Sequence, residues 1–247
     1  MDMRFDMAQN AAFPTPTRSC GSQSCDACVV RDRAICADLA DGDREALSRL
    51  GRRITLQAGQ TVMWEGDDSM VVANVIEGTL KLATSTGDGR EQIVGVVYAS
   101  DFIGRPFGVR TPHSVTALTD ARLCLFPRGG FDGFAKRHGE LQHRLLQRTL
   151  DDLDRTRAWM LLLGRKSARE KVATFLLDMG RRLPADREGV IALPLSRQQI
   201  ADILGITIET VSRQMTEMKR GGVIDLIGRR GVRLLNMAAL ETLSEAV

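Results

Sequence analysis

Residues 196–222 constrain the fold most, because SRQQIADILGITIETVSRQMTEMKRGG divides into two short helices around Gly205. Ser196 followed three residues later by Gln199 is a capping-box start, and Ile200, Ile203 and Leu204 then repeat at helical spacing until Gly205 stops the helix. Thr207 can cap the second helix. In that helix Ile208, Val211, Met215 and Met218 fall on one stripe, and Glu209, Ser212, Arg213, Thr216 and Arg220 on the other. The first stripe docks, and the second is left to enter a groove of DNA: arginine can give guanine two bonds, glutamate can accept from cytosine's amino group, and serine is short enough to meet a base edge.

An amphipathic helix pair of an unrelated helical domain would carry the same apolar stripe, and the residues that follow separate the two readings. Residues 223–227 are strand-like, 228–231 (Gly-Arg-Arg-Gly) form a turn, and 232–235 return as a second strand, so a hairpin presents Arg229 and Arg230 at its tip. Such a wing grips phosphate. From Ser196 onward the bases Arg197, Arg213, Lys219, Arg220, Arg229, Arg230 and Arg233 outweigh Asp202, Glu209, Glu217 and Asp225, as backbone binding requires. The C-terminal unit is therefore expected to be a winged helix-turn-helix on double-stranded DNA.

A chain of 247 residues has room for more than this module. The net charge of only +3 argues against non-specific coating of nucleic acid and confines the basic surface to the C-terminal unit. Apolar runs such as 93–98 and 159–163 fall far short of the roughly 20 residues a membrane span needs, and Met1-Asp2-Met3 lacks a secretory pattern, so a cytoplasmic protein off the membrane is expected. Residues 10–18, with Pro14 and Pro16, look like a loose leader.

Residues 54–134 have a different texture, with short β-prone segments punctuated by glycines, which predicts an all-β unit of the small jelly-roll barrel type. Residues 79–83 and 92–97 flank a Gly-rich turn at 86–89 and read as a hairpin. A helical run over 140–163 follows, in which Leu146, Leu150, Leu153 and Met160 form a partial heptad seam, with Thr149 and Thr156 offering another register. A helix packed on its own barrel is one reading. A dimer seam is the other, and it suits a helix-turn-helix, which works as a symmetric pair with recognition helices about 34 Å apart. Residues 167–181 form a further helix. The expected class is α+β, divided into a cysteine-rich sensor segment at 1–45, a β-barrel at 46–139, a dimerisation helix at 140–164 and the DNA-binding unit at 165–247.

The five cysteines add chemistry. Cys25, Cys28 and Cys36 crowd one short segment, and Cys124 lies far off in the strand-like 121–126. Soft thiolates suit zinc or an iron–sulfur cluster, and disulfides are the poorer explanation in a cytoplasmic chain. Cys20, Cys25 and Cys28 also match the start of a plant-type [2Fe-2S] spacing, but a set drawn wholly from the N-terminus ties nothing to the barrel, so Cys20 is taken as a spare. Of the histidines only His113 lies in the β unit and His138 and His143 lie beyond its strands, which argues against a cupin-type metal enzyme; an enzyme is not expected.

Barrel, long helix and winged helix-turn-helix in this order resemble the CRP/FNR superfamily of bacterial transcription regulators, and residues 208–213, Ile-Glu-Thr-Val-Ser-Arg, resemble the recognition helix of its FNR branch. The resemblance implies a barrel of the cyclic-nucleotide-binding kind and a homodimer that reads an inverted repeat of TTGAT-type half-sites through Glu209, Ser212 and Arg213. It also implies phosphate contacts from Arg197, Thr207 and Thr210, with Arg229 or Arg230 on the wing, and a polymerase contact near residues 84–90. Where cyclic-nucleotide barrels carry Gly-Glu and Arg-Ser, this chain reads Gly104-Arg105 and His113-Ser114, so no cyclic nucleotide is expected. The cysteine spacing is similar to that of alphaproteobacterial FNR proteins, which implies an oxygen-labile [4Fe-4S] cluster on Cys25, Cys28, Cys36 and Cys124. A zinc-stapled regulator is the alternative.

Overall fold

The computed structural model describes residues 25–245 apart from 86 and 88–90. Cys20, the leader at 10–18 and most of the turn at 86–89 lie outside the described residues.

Eight strands make two antiparallel four-stranded sheets. The first contains β1 (Arg52–Leu56), β3 (Val71–Glu77), β6 (Phe102–Ile103) and β8 (Ala121–Pro127) in the order β1-β8-β3-β6, and the second contains β2 (Thr61–Met63), β4 (Leu80–Ser85), β5 (Glu91–Val97) and β7 (Ser114–Ala117) in the order β2-β7-β4-β5. Leu56, Ala73, Val75, Leu80, Val115, Leu123 and Leu125 fill the space between them. Strand alternation sends Val72, Asn74 and Ile76 of β3, and Cys124 and Phe126 of β8, to the outer face of the first sheet. That face is covered as well, which is why β3 reads as a nearly continuous apolar run.

The cover consists of helix α1 (Asp41–Leu50), helix α2 (Arg128–Ala135) and the irregular strip 28–39. The expectation of an all-β unit reaching residue 134 is corrected here: residues 128–135 are helical, because Phe131, Phe134 and Ala135 recur at helical spacing and pack against Phe126, with the Phe126 and Phe131 ring centroids 5.7 Å apart. Two glycines at its start disguise this helix in the sequence.

Helix α3 (Gly139–Arg165) runs one residue beyond the expected 140–164 at each end. Helix α4 (Ala168–Arg182) follows a capping box, in which Ser167 Oγ accepts from the Glu170 amide at 3.4 Å and the Ser167 amide donates to the Glu170 carboxylate at 2.6 Å. The helix-turn-helix is α5 (Arg197–Leu204) and α6 (Ile208–Arg220). Strand β9 (Val190–Ala192) joins β10 (Ile224–Ile227) and β11 (Gly231–Leu234) in a small sheet ordered β10-β11-β9, and α7 (Met237–Ser244) closes the unit. The core of this half includes Ile93 and Tyr98 from the end of the barrel. Among the described residues no helix is long and apolar enough to cross a membrane.

Gly78, in the turn between β3 and β4, has φ +88°, and a Cβ there would lie 2.4 Å from the Asp120 carbonyl oxygen; Gly59 has φ +90° but open space around it. Gly59→Ala should therefore cost only the left-handed backbone penalty of about 1 kcal/mol, whereas Gly78→Ala adds a backbone clash and should cost at least ~2 kcal/mol. Urea unfolding of the two variants separates the contributions, and equal losses would refute the clash.

Candidate DNA-reading face and thiol pocket

The α5–α6 pair is fixed by its ends. Ser196 Oγ accepts from the Gln199 amide at 3.2 Å and Gln199 Oε1 accepts from the Ser196 amide at 2.9 Å, while Gly205 takes a left-handed conformation that ends α5. Thr207 caps α6 by accepting from the Thr210 amide at 3.3 Å. Val211, Met215 and Met218 are buried, and Gln214 joins them on the docked face. Ile208, placed with that stripe in the sequence, is only half-buried. Glu209, Ser212 and Arg213 are all exposed on the opposite face. Glu209's own backbone amide and the Thr207 hydroxyl hold its carboxyl below the usual carboxylate range, so it stays an ionised acceptor.

The other sequence-predicted DNA contacts differ in their readiness. Thr207 is spent on its cap. Arg197 is folded inward, its guanidinium against the Met215 sulfur and its pKa lowered by burial, so a phosphate bond from it requires the side chain to swing out. On the wing Arg229 and Arg230 are both exposed, and Arg230 Nη1 also donates to the Pro194 carbonyl at 3.2 Å. Leu146, Leu150, Leu153 and Met160 lie 43 to 69 % exposed along α3, and Leu161 extends the apolar strip. Only Leu141 and Leu162 of this helix are buried in the protomer. The helix packed wholly on its own barrel is thus not what the fold builds.

The second site lies on the outer face of the first sheet. Cys25, in a 3₁₀ turn (Cys25–Ala27), and Cys28, Cys36 and Cys124 line one pocket together with Val30, Ala34, Ile76, Leu47 and Phe126. Cys124 stands in β8 directly across from Arg53 of β1 and Asn74 of β3. Burial pushes the Cys36 thiol up to about 11, with the charges of Cys25 and Cys28 adding to it and Arg44 opposing. Burial likewise pushes Cys124 up to about 12, with Cys25 and Cys36 adding to it. Four half-buried sulfurs form a soft donor set, which a cation would convert from thiols to thiolates. Arg31, Arg44 and Arg53 also line the pocket and would offset the negative charge of thiolate ligands. In chemical type, soft sulfur, the donor set suits iron or zinc. Among the described residues, no group of His, Cys, Asp or Glu converges closely enough to hold a single metal ion.

Two residues that shape this pocket were missed in the sequence. Arg44 is buried and donates to the carbonyls of Cys36, Ala37 and Leu39 at 3.3, 3.3 and 2.6 Å, and Asn74 Oδ1 accepts from the Ile35 amide at 3.5 Å. The only cue was Asn74, the one uncharged polar residue inside the apolar run of β3. At the positions matching a cyclic-nucleotide pocket, Ser114 Oγ is engaged by the Glu65 amide at 3.0 Å and His113 Nδ1 is buried without a partner.

Comparison with known proteins agrees with this architecture. Residues 53–138 match the model of the cyclic nucleotide-binding domain and residues 170–243 that of the Crp-like helix-turn-helix domain. The chain is 42% identical over 163 residues to the transcriptional activator protein FnrL of Cereibacter sphaeroides, spanning 66% of this chain and 64% of that protein's length. It is 39% identical over 172 residues to a probable transcriptional activator of Rhizobium leguminosarum bv. viciae, covering 70% of each. The solved structure of FixK2 from Bradyrhizobium japonicum matches with a TM-score of 0.75 at 32% identity, over 80% of this chain and 98% of that one. With relatives that are transcription activators rather than enzymes, and with both of its domain types matched in order, the chain belongs to the CRP/FNR family of regulators.

Proposed function

We propose that this protein is an oxygen-responsive transcription regulator whose homodimer binds an inverted repeat of TTGAT-type half-sites and controls genes of anaerobic or microaerobic growth, with RNA polymerase as its partner at the promoter. The observation that carries the reading is the gathering of Cys25, Cys28, Cys36 and Cys124 around one pocket, since Cys124 comes from a strand far away in the chain. Bonds from these thiolates to a [4Fe-4S] cluster would supply a tie between residues 25–36 and β8 that oxygen removes.

This chain's own residues do the rest. The apolar strip of α3 offers a seam for a second copy, and pairing two α3 helices sets two α6 helices on one face of a duplex. Glu209, Ser212 and Arg213 then read base edges, while the wing and the amides at the start of α6 hold the backbone. Shifting the dimer-competent population from about 1:99 to 99:1 takes ~5.5 kcal/mol, within reach of metal–thiolate bonds coupled to folding. The match to the FnrL activator, whose name marks it as an FNR-type protein, supports the same assignment.

Protein purified without air should be brown, contain iron and inorganic sulfide, sediment as a dimer and bind the palindrome. Cys124→Ser should lose the iron and the dimer together, and Cys20→Ser should lose neither. Colourless protein holding zinc and no sulfide would move the reading to a zinc-stapled regulator, and undiminished operator binding after exposure to air would end the oxygen reading. Arg213→Ala should weaken operator binding by ~1 to 3 kcal/mol and relax the preference at one base position, as judged by binding to a panel of single-base operator variants. An equal loss on every sequence would reduce Arg213 to a phosphate contact.

A further inference from the structure

Beyond its seam, α3 carries a second set of contacts on the opposite side. Arg144 and Arg148 stand one helical turn apart, roughly half a turn around the helix from Leu146, Leu150 and Leu153. Most of the helix between Leu141 and Leu162 is exposed, yet these two side chains are only 23 and 24 % exposed. Both reach the strip that bears the thiols. Arg144 Nη1 pairs with Asp38 Oδ2 at 3.3 Å, and its Nε is buried without a hydrogen-bond partner, so the guanidinium is held inward at the cost of one unsatisfied donor. Arg148 Nη2 donates to the Arg33 carbonyl, and its Nη1 lies 3.7 Å from Asp101 Oδ1. Arg33 and Asp38 bracket Cys36.

Asp101 extends this junction. Its other carboxylate oxygen accepts from the Tyr98 amide at 2.9 Å, and the Tyr98 hydroxyl lies 3.6 Å from the Met179 sulfur in α4. Arg148 of α3 therefore meets the thiol strip and the barrel at one point, from which Asp101 and Tyr98 lead on to Met179 of the DNA-binding half.

We propose that Arg144 and Arg148 are positioning residues that convert the state of the thiol strip into the pose of α3, and through it into the presentation of the dimer seam. The inference rests on the sensor reading above. With the strip held against β3 and β8, Asp38 and the Arg33 carbonyl fix both guanidinium groups, and a rigid helix carries that fixation to its far face. When the strip loosens, the arginines lose their acceptors and the helix loses the contacts that align it.

The test has one arm that needs no iron. Hydrogen exchange is followed on the full chain, reduced and metal-free, for wild type, Arg144→Met, Arg148→Met and the swapped pair Asp38→Arg with Arg144→Asp. Amides 33–39 should exchange on the order of tenfold faster in both single variants, those of β3 and β8 should be unchanged, and the swap should restore protection. In the second arm, protein made without air is titrated with air during sedimentation. Arg148→Met should hold wild-type iron and sulfide yet change its dimer constant by less than about twofold where wild type changes by more than tenfold. Wild-type exchange in both single variants, or a wild-type air response in Arg148→Met, overturns the proposal. Wild-type protein devoid of iron and sulfide overturns the sensor reading instead, and the exchange arm then judges the arginines alone.

Discussion

Residues 28–39 contain neither a strand nor a lasting helix, yet they cover one face of a sheet, and Cys28 and Cys36 reach the pocket beside Cys124 only because they are held there. A buried strip must find partners for its backbone groups or stay in water. Arg44 meets that need with one guanidinium, donating to the carbonyls of Cys36, Ala37 and Leu39 while pairing with Asp41 at 2.6 Å. Val30, Ala34 and Ile76 add apolar contact at one end, and Ile35, Leu39 and Leu47 at the other. The strip is thus seated by Arg44, by Asn74, by Arg144 and Arg148 of α3 and by a few aliphatic side chains. On the proposed reading, bonds at Cys25, Cys28, Cys36 and Cys124 would add to that seating.

The barrel is joined to the DNA-binding half along β5, the edge strand of the second sheet. An exposed edge invites pairing with other chains, and here α5 covers it: Gln92 Nε2 donates to the Asp202 carbonyl at 3.0 Å, and Ile93 sits in the core of the C-terminal half. Arg182 lies over the Tyr98 ring at 5.2 Å from its centroid, and burial together with Asp178 raises the tyrosine's pKa, so this hydroxyl stays neutral. Lys166, just beyond α3, donates to Thr174 Oγ1 at 2.9 Å and to the Ser244 carbonyl at 2.6 Å. The DNA-binding half is therefore tied both to the barrel and to the end of α3.

What the sequence disclosed follows from range. Both helix caps at Ser196 and Thr207 and the stripe through Val211 and Met218 are local patterns a few residues long, and local patterns survive in a single chain read alone. The elements that escaped it depend on distant partners. Strand β9 is three residues that become a strand only beside β11, and α1 and α2 become recognisable once Leu47 and Phe131 are seen to share the outer face of the first sheet. The same holds at the site. Four cysteines announce a donor set, but nothing in the neighbourhood of Arg144 or Arg148 points to Asp38 or Arg33, more than a hundred residues earlier.

A seam between two copies along α3, as proposed, would sit near balance. Leu146, Leu150, Leu153 and Met160 are 43 to 69 % exposed in the protomer. Full burial of such a side chain contributes about 1.5 to 3 kcal/mol, so burying the exposed part gains on the order of 1 kcal/mol each. Summed over two protomers, that gain falls within the ~4 to 15 kcal/mol of translational and rotational freedom that association costs. Asp151, Asp152 and Asp154 crowd the middle of the helix, and Arg155 and Arg157 are turned back onto Asp152 and Asp154 within their own chain instead of reaching across. A seam of this strength neither holds two copies together regardless of circumstance nor leaves them indifferent to each other. On the proposed reading, a small change in how α3 is aligned, made from its arginine face, would then decide the outcome.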